Sequence, residues 1–328
     1  LDSVYLRTRA ECSEAIMRAV EDGRGSTNGG AFLDMTKNMT APKSGKYFIK
    51  YLKSALPSAY NNARQALGKE AGKAEIPWEV RPSAHYSMGG IRVDEHTRVI
   101  HSTENLHEPK IIKGLFAAGQ AMGGLFGANR LGSTSLTELA VFGYRAGKSA
   151  AKHANLSTKQ NNYDVFHEHY LKFKNIFNKK GKLKAYKLKL DLQKKCWDNI
   201  GPARTEKKLK KMVTFLNKIE KDLNNVNVPN EMIWNQQFID FIELKNMIIT
   251  AKAVTIASLK RNKSVGGHVR LDKKTSSLFS KPYYTLVKIN KNNSFESHKF
   301  FRQKTPLKRI INYKISEKFR FLKAKILR

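Results

Sequence analysis

Cysteine is nearly absent. The 328 residues contain two, Cys12 and Cys196, far apart in the chain. That excludes a disulfide framework and any cysteine-built zinc or iron–sulfur centre within this chain, and it fits a reducing compartment. Long apolar runs are missing as well. The best, Leu115 to Leu125, is short and rich in glycine, well below the roughly 20 residues that a membrane-spanning helix needs. No secretory signal opens the sequence and no initiator methionine is present. Leu1 runs directly into charged, helix-like text, so the chain is expected to begin inside a longer protein. His101, His107, His153, His167 and His169 have no spacing that argues for a metal site. No G-x-G-x-x-G turn, internal repeat or low-complexity tract occurs.

Acidic residues are scarce too, 27 against 61 lysines and arginines, for a net charge of +34. The imbalance is concentrated. Residues 1–150 hold 20 bases and 14 acids (+6), whereas residues 151–328 hold 41 and 13 (+28). A basic half of this size can neutralise phosphates of RNA, DNA or anionic lipid. Its lysines are interspersed with Asn and Ile, without interleaved aromatics, so nucleic acid is not expected as the partner. Docking of an acidic partner subunit or of a membrane face is the preferred reading.

What is present reads as mixed helix and strand. Residues 1–25 predict a helix with Ile16, Ala19 and Val20 on one face, stopped at Gly23–Gly25. "YFIKYLKSALPSAYNNARQAL" has helical spacing broken at Pro57. "WEV", "GGIRV" and "TRVI" read as strands within 78–100, and "IIKGLFAAG" as a strand over 111–119. Residues 131–154 predict a helix with Ser133, Thr134 and Ser135 as candidate caps. Residues 160–260 look entirely helical. After 264–272 the text turns strand-like, with "YYTLVKI" the best strand.

Two stretches carry chemistry. In "HYSMGG", residues 85–90, His85 is followed by Gly89 and Gly90. This suits either a surface hairpin with a solvated histidine or a ring facing a substrate, with glycines allowing close approach. In "GLFAAGQAMGGLFGANRLGSTSL" an apolar strand leads through a glycine-rich loop into a helix N-terminus. The free N–H groups and dipole of such a terminus favour negative charge. Arg130 adds a planar cationic fork suited to a carboxylate. The alternative is a tight helix–strand turn with Arg130 in solvent.

Together, "RPSAHYSMGGI", "GLFAAGQAMGGLFGANRLGSTSLTELAVFGYRAG" and "SVGGHVRLD" resemble the C-terminal half of the succinate dehydrogenase/fumarate reductase flavoprotein family, which includes L-aspartate oxidase. The resemblance covers about residues 1–272. It implies four regions: the end of a capping domain (1–80), the C-terminal part of an FAD-binding α/β domain (81–155), a helical-bundle domain (156–263) and a small basic α+β tail (264–328). It also implies an FAD-dependent oxidoreductase that moves hydride between a C4 dicarboxylate and flavin. Electrons would go to or from an iron–sulfur partner and a quinone, in electron transport and the tricarboxylic acid cycle. The expected location is cytoplasmic, peripheral on the inner face of the plasma membrane through partner subunits.

Residue by residue, the resemblance implies that His85 and Arg130 hold the substrate carboxylates. Arg9 would shuttle the proton, with Arg7 as competitor. Gly89, Gly90, Gly119, Gln120, Asn129, Ser135 and Leu136 would contact FAD. Gln120 stands where the family usually has glutamate, and Phe126 where it most often has histidine. His268 reads as structural. The family's dinucleotide fingerprint has no counterpart here, so the chain alone is expected to bind FAD weakly or not at all and to be inactive. An L-aspartate oxidase-like dicarboxylate oxidase and a non-catalytic basic interaction module are the alternatives.

Overall fold

The computed structural model describes residues 9–40, 45–101, 110–157, 163–177, 179–231, 233–273, 281–290, 292–302 and 306–326. The chain divides into two compact units, Leu1–Ala84 and His85–Arg328. In the first, α1 (Arg9–Glu21) leads to β1 (Ala31–Leu33), α2 (Thr36–Met39), α3 (Gly45–Ala55), α4 (Pro57–Leu67), α5 (Lys69–Gly72) and β2 (Trp78–Val80). Pro57 has no N–H to leave unsatisfied, so it ends α3 and opens α4 at its first position. β1 and β2 pair antiparallel with Ala31 opposite Val80. Trp78 is buried with Leu52, Ala63 and Ala71, and its indole N–H donates to the Ala71 carbonyl at 2.8 Å. That bond offsets the cost of burying the indole's polar edge.

The second unit opens with a hairpin of β3 (Arg98–His101) and β4 (Lys110–Phe116), with a register shift between Arg98 and Ile100. A 3-10 turn at Gly119–Ala121 and the long helix α6 (Thr134–Leu156) follow. Then come α7 (Tyr163–Lys174), α8 (Ala185–Ile200), β5 (Ala203–Arg204), α9 (Glu206–Asp222) and α10 (Gln236–Lys260). β6 (Val269–Arg270) pairs parallel with β5, and isolated bridges join Lys179 to Val228 and Leu183 to Val226, so residues 160–260 are mainly but not entirely helical. A hairpin of β7 (Tyr283–Ile289) and β8 (Phe295–Phe301) precedes α11 (Leu307–Ile326).

The main core lies between α8, α9 and α10. Leu209, Met212, Leu216 and Ile219 recur at helical spacing on α9, and Met212, Leu216 and Ile219 pack with Leu192 of α8 and Phe241, Leu244 and Ile248 of α10. Full burial of such side chains contributes roughly 1.5–3 kcal/mol each. Side-chain caps set both helix starts. Thr205 accepts from the Lys208 N–H and Asn235 from the Phe238 N–H.

Two sequence expectations fail locally. "GGIRV" forms no strand; Ile91 and Val93 make isolated bridges to Met122 and Val99. Gly89 and Gly90 contribute no side chains to pack, and the segment crosses the 119–123 turn at a single point instead of running beside it. The tail is not mainly strand, because α11 takes up 20 of its residues. Its apolar residues recur at i, i+4, a helical period.

Candidate functional site

The loop that begins the second unit, His85–Gly90, lies against the turn after β4. The Ile91 N–H donates to the Ala121 carbonyl at 2.7 Å, and the Gly123 N–H returns a bond to the Ile91 carbonyl at 3.0 Å. The backbones approach so closely that a Cβ on Gly90 would sit 2.4 Å from the Ala121 oxygen. One on Gly123 would meet the Gly90 nitrogen at 2.7 Å. Gly90 is therefore required by close approach. Gly89 has nothing within 4 Å of its place for a Cβ. Gly90→Ala is expected to cost about 2 kcal/mol from overpacking and weakened bonds, and Gly89→Ala less than about 0.5 kcal/mol. Urea unfolding of the pair checks this; equal effects would refute the close-approach account.

Side chains add three further ties. The Ser87 N–H donates to Gln120 Oε1 at 3.2 Å. The Arg130 N–H donates weakly to Met88 Sδ at 3.0 Å. Tyr86 donates to Glu138 Oε2 at 2.6 Å, and the other oxygen of Glu138 accepts from the Gly119 N–H at 3.0 Å. Glu138 is only 3% exposed, so this carboxylate is a buried anchor for both loops. Burial first, and then the bond to Glu138, push the Tyr86 hydroxyl up to about 12. It stays protonated and keeps donating. Phe126 packs edge-on to the Tyr86 ring at 5.4 Å, and the Arg130 guanidinium lies 5.4 Å from the same ring.

The start of α6 corrects the capping expectation. Ser133 adopts a left-handed φ of 63° and makes no side-chain cap bond. Thr134 Oγ1 donates to the Leu131 carbonyl, and Ser135 Oγ accepts from Arg130 Nη1 at 3.2 Å. Among the described residues no side chain caps the first turn of this 23-residue helix. Its leading N–H groups therefore suit an external acceptor.

Of the residues singled out by sequence, the structure brings Gly90, Gly119, Gln120, Arg130 and Ser135 into one bonded cluster with Tyr86 and Glu138. His85, Gly89, Asn129 and Leu136 are exposed in the same segments. Arg9, also exposed, is the first residue of α1 in the other unit. Arg7 and His107 lie outside the described residues. No group of three or more metal-ligating side chains occurs among the described residues.

A third block of the sequence, to which the sequence alone assigned no place at the site, also contributes. "SVGGHVRLD" folds onto the same loop: the Gly267 N–H donates to the Ala128 carbonyl at 2.9 Å. Gly266 has φ +53°, and a Cβ there would lie 2.3 Å from the same oxygen. Behind this turn sits a cationic cluster. Arg204 Nη1 lies 2.8 Å from His268 Nδ1, while His268 Nε2 lies 3.0 Å from the Arg261 carbonyl. A guanidinium only donates, so Nδ1 accepts and Nε2 carries the proton. Arg270, 1% exposed, forks onto both oxygens of Asp272 at 2.9 and 3.0 Å. That pairing holds the Asp272 carboxyl down to about 2. Burial, and then the charge of Arg270, lower Arg204 to about 10.

Residues 4–136 match the FAD binding domain model, and residues 189–316 match the fumarate reductase flavoprotein C-terminal model. The chain belongs to the succinate dehydrogenase/fumarate reductase flavoprotein family. It is 32% identical over 267 residues to one of the subunits of the fumarate reductase (CoM/CoB) of Methanothermobacter marburgensis, covering 81% of this chain and 44% of that protein. An uncharacterized FAD-dependent oxidoreductase of Methanocaldococcus jannaschii is 36% identical over 271 residues, 83% of this chain and 45% of that one. Among solved structures, the E. coli quinol fumarate reductase flavoprotein superposes with a TM-score of 0.74 at 26% identity, over 91% of this chain and 49% of that chain. This flavoprotein chain thus spans about half the length of the relatives it matches. FAD is the cofactor that the match names. The α6 terminus, where Ser133 makes no side-chain cap bond, fits an acceptor-edged group.

Proposed function

We propose that this chain carries the dicarboxylate-binding and flavin-facing elements of an FAD-dependent succinate/fumarate oxidoreductase. What supports the reading most is the joining of two loops, one beginning with His85 and one ending in Arg130, beside an uncapped helix N-terminus. FAD, when bound, supplies the hydride chemistry. The N–H groups leading α6 would hold its electron-rich edge, and Gln120 and Asn129 would hydrogen-bond its polar periphery. His85 and Arg130 would clamp the two carboxylates of a C4 dianion and fix its orientation. Arg130 is held for this by Ser135 and the Tyr86 face. The sequence resemblance alone assigns Arg9 a proton-moving role, for which guanidinium needs a buried relay. Electron exchange with an iron–sulfur partner and a quinone completes the proposal.

The test uses the assembled flavoenzyme containing this chain, with succinate oxidation and fumarate reduction followed by dye absorbance. His85→Ala and Arg130→Ala are each expected to lower kcat/KM at least about a hundredfold while leaving flavin content unchanged. Unimpaired turnover in both variants would remove the assignment.

A further inference from the structure

The family match ends at residue 316, midway along α11, yet the helix continues to Ile326. Pro306 starts it, with its carbonyl accepting from the Arg309 and Ile310 N–H groups. Leu307, Ile311, Ile315 and Phe319 fall at i, i+4, i+8 and i+12, which stacks them along one side. They are 48–69% exposed. No other helix or strand among the described residues packs extensively on α11. Lys308, Arg309 and Lys314 are exposed around the stripe. Residues 306–328 hold eight bases and a single acid, Glu317.

We infer that α11 is a membrane-surface helix that lays its apolar stripe into an anionic lipid interface. An exposed apolar stripe edged by bases matches a surface of acyl chains beneath negative headgroups. The alternatives fit less well. A second copy of this chain carries the same +34 charge and is repelled. A nucleic acid backbone would use the bases but leave the stripe in water. No described helix is long and apolar enough to cross a bilayer, so contact is parallel to the surface.

The experiment is co-sedimentation of the full chain with vesicles. One set is phosphatidylcholine with about one-quarter phosphatidylglycerol, and the other is phosphatidylcholine alone. The chain is expected to pellet with the anionic set only, and less so as salt rises from about 0.1 to about 0.5 M. Ile311→Ser with Ile315→Ser should lower partitioning about tenfold, and Lys308→Glu with Arg309→Glu by a similar factor. Lys211→Glu with Lys218→Glu, on exposed positions of α9, should change it less than about threefold. Failure to pellet with anionic vesicles would overturn the proposal. So would undiminished binding of the double-serine variant, or an equal loss in the α9 variant. Tighter binding to a homopolymeric RNA, unaffected by the double-serine change, would overturn it in favour of a nucleic-acid surface.

Discussion

Arg270→Ala is expected to destabilise the unit His85–Arg328 by about 4 kcal/mol. The side chain is 1% exposed. Its fork satisfies both oxygens of Asp272, and Nη1 donates to the carbonyls of Ser258 and Arg261 at 3.2 and 3.4 Å. Removing it takes this donor from the buried Ser258 carbonyl, leaves Asp272 with the Glu206 N–H and the Arg261 carbonyl with His268 Nε2 as remaining partners, and opens a cavity between α10 and β6. One effect opposes the loss, since Arg204 is relieved of a neighbouring positive charge. That repulsion is the smaller effect, because Arg204 keeps its carbonyl and Ser258 bonds. Arg270→Met restores much of the apolar stem and should recover only about 1 kcal/mol, because the fork carries most of the stabilisation. Chemical denaturation of the three proteins, followed by far-UV circular dichroism, measures this. Full recovery by methionine would show that packing, and not the ion pair, holds the cluster.

Acidification from pH 6.5 to about 4 should remove about 3 kcal/mol through His268 alone. Burial, followed by the adjacent Arg204 charge, pushes this imidazole down to about 4 from its ordinary 6.5. Between those values the unfolded chain binds a proton that the folded chain refuses. Stability from this group is therefore fully present above pH 6.5 and lost as pH falls through the folded value. Protonation would turn Nδ1 into a donor 2.8 Å from Arg204 Nη1. Asp272 behaves separately. Its lowered folded value keeps its contribution present above about 3.8, and that contribution is lost as pH falls towards 2. His268→Gln keeps an acceptor and a donor without titrating, so over pH 6.5–4 its stability should fall about 3 kcal/mol less than that of wild type. Parallel profiles in the two proteins would remove His268 as the source. The Gly266–Gly267 turn bears on Ala128, two residues before Arg130. The same pH window should therefore lower the amide protection factors in that loop, relative to intrinsic exchange at each pH.

The sequence made several elements legible because their causes are local. Pro57 marks the break between α3 and α4. The apolar period of "KLKKMVTFLNKIEKDL" marks α9, and "YYTLVKI" marks β7. Capping at α6 was misjudged for an equally local reason. Three hydroxyl residues in a row offer several bonding patterns, and the left-handed turn at Ser133 sends them to Leu131 and Arg130. Glu138 gave no signal in the sequence. A glutamate one turn into a helix is ordinarily solvated, and only burial against Gly119 and Tyr86 makes it an anchor.

By itself, the sequence determined the family and the concentration of charge in the second half, and it nominated the residues proposed to face dicarboxylate and flavin. Each of these is written in contiguous blocks whose residue types suffice to read them. Tertiary structure decided how the blocks meet. It crosses His85–Gly90 over the 119–123 turn, seats Gly266 and Gly267 on Ala128, and fixes the proton of His268 on Nε2. It also leaves the α11 stripe uncovered among the described residues. These depend on backbone approaches of a few ångströms between segments more than a hundred residues apart in some cases. No local propensity encodes them, because their energy comes from exclusion of a Cβ and from burial of charge, both properties of the assembled chain.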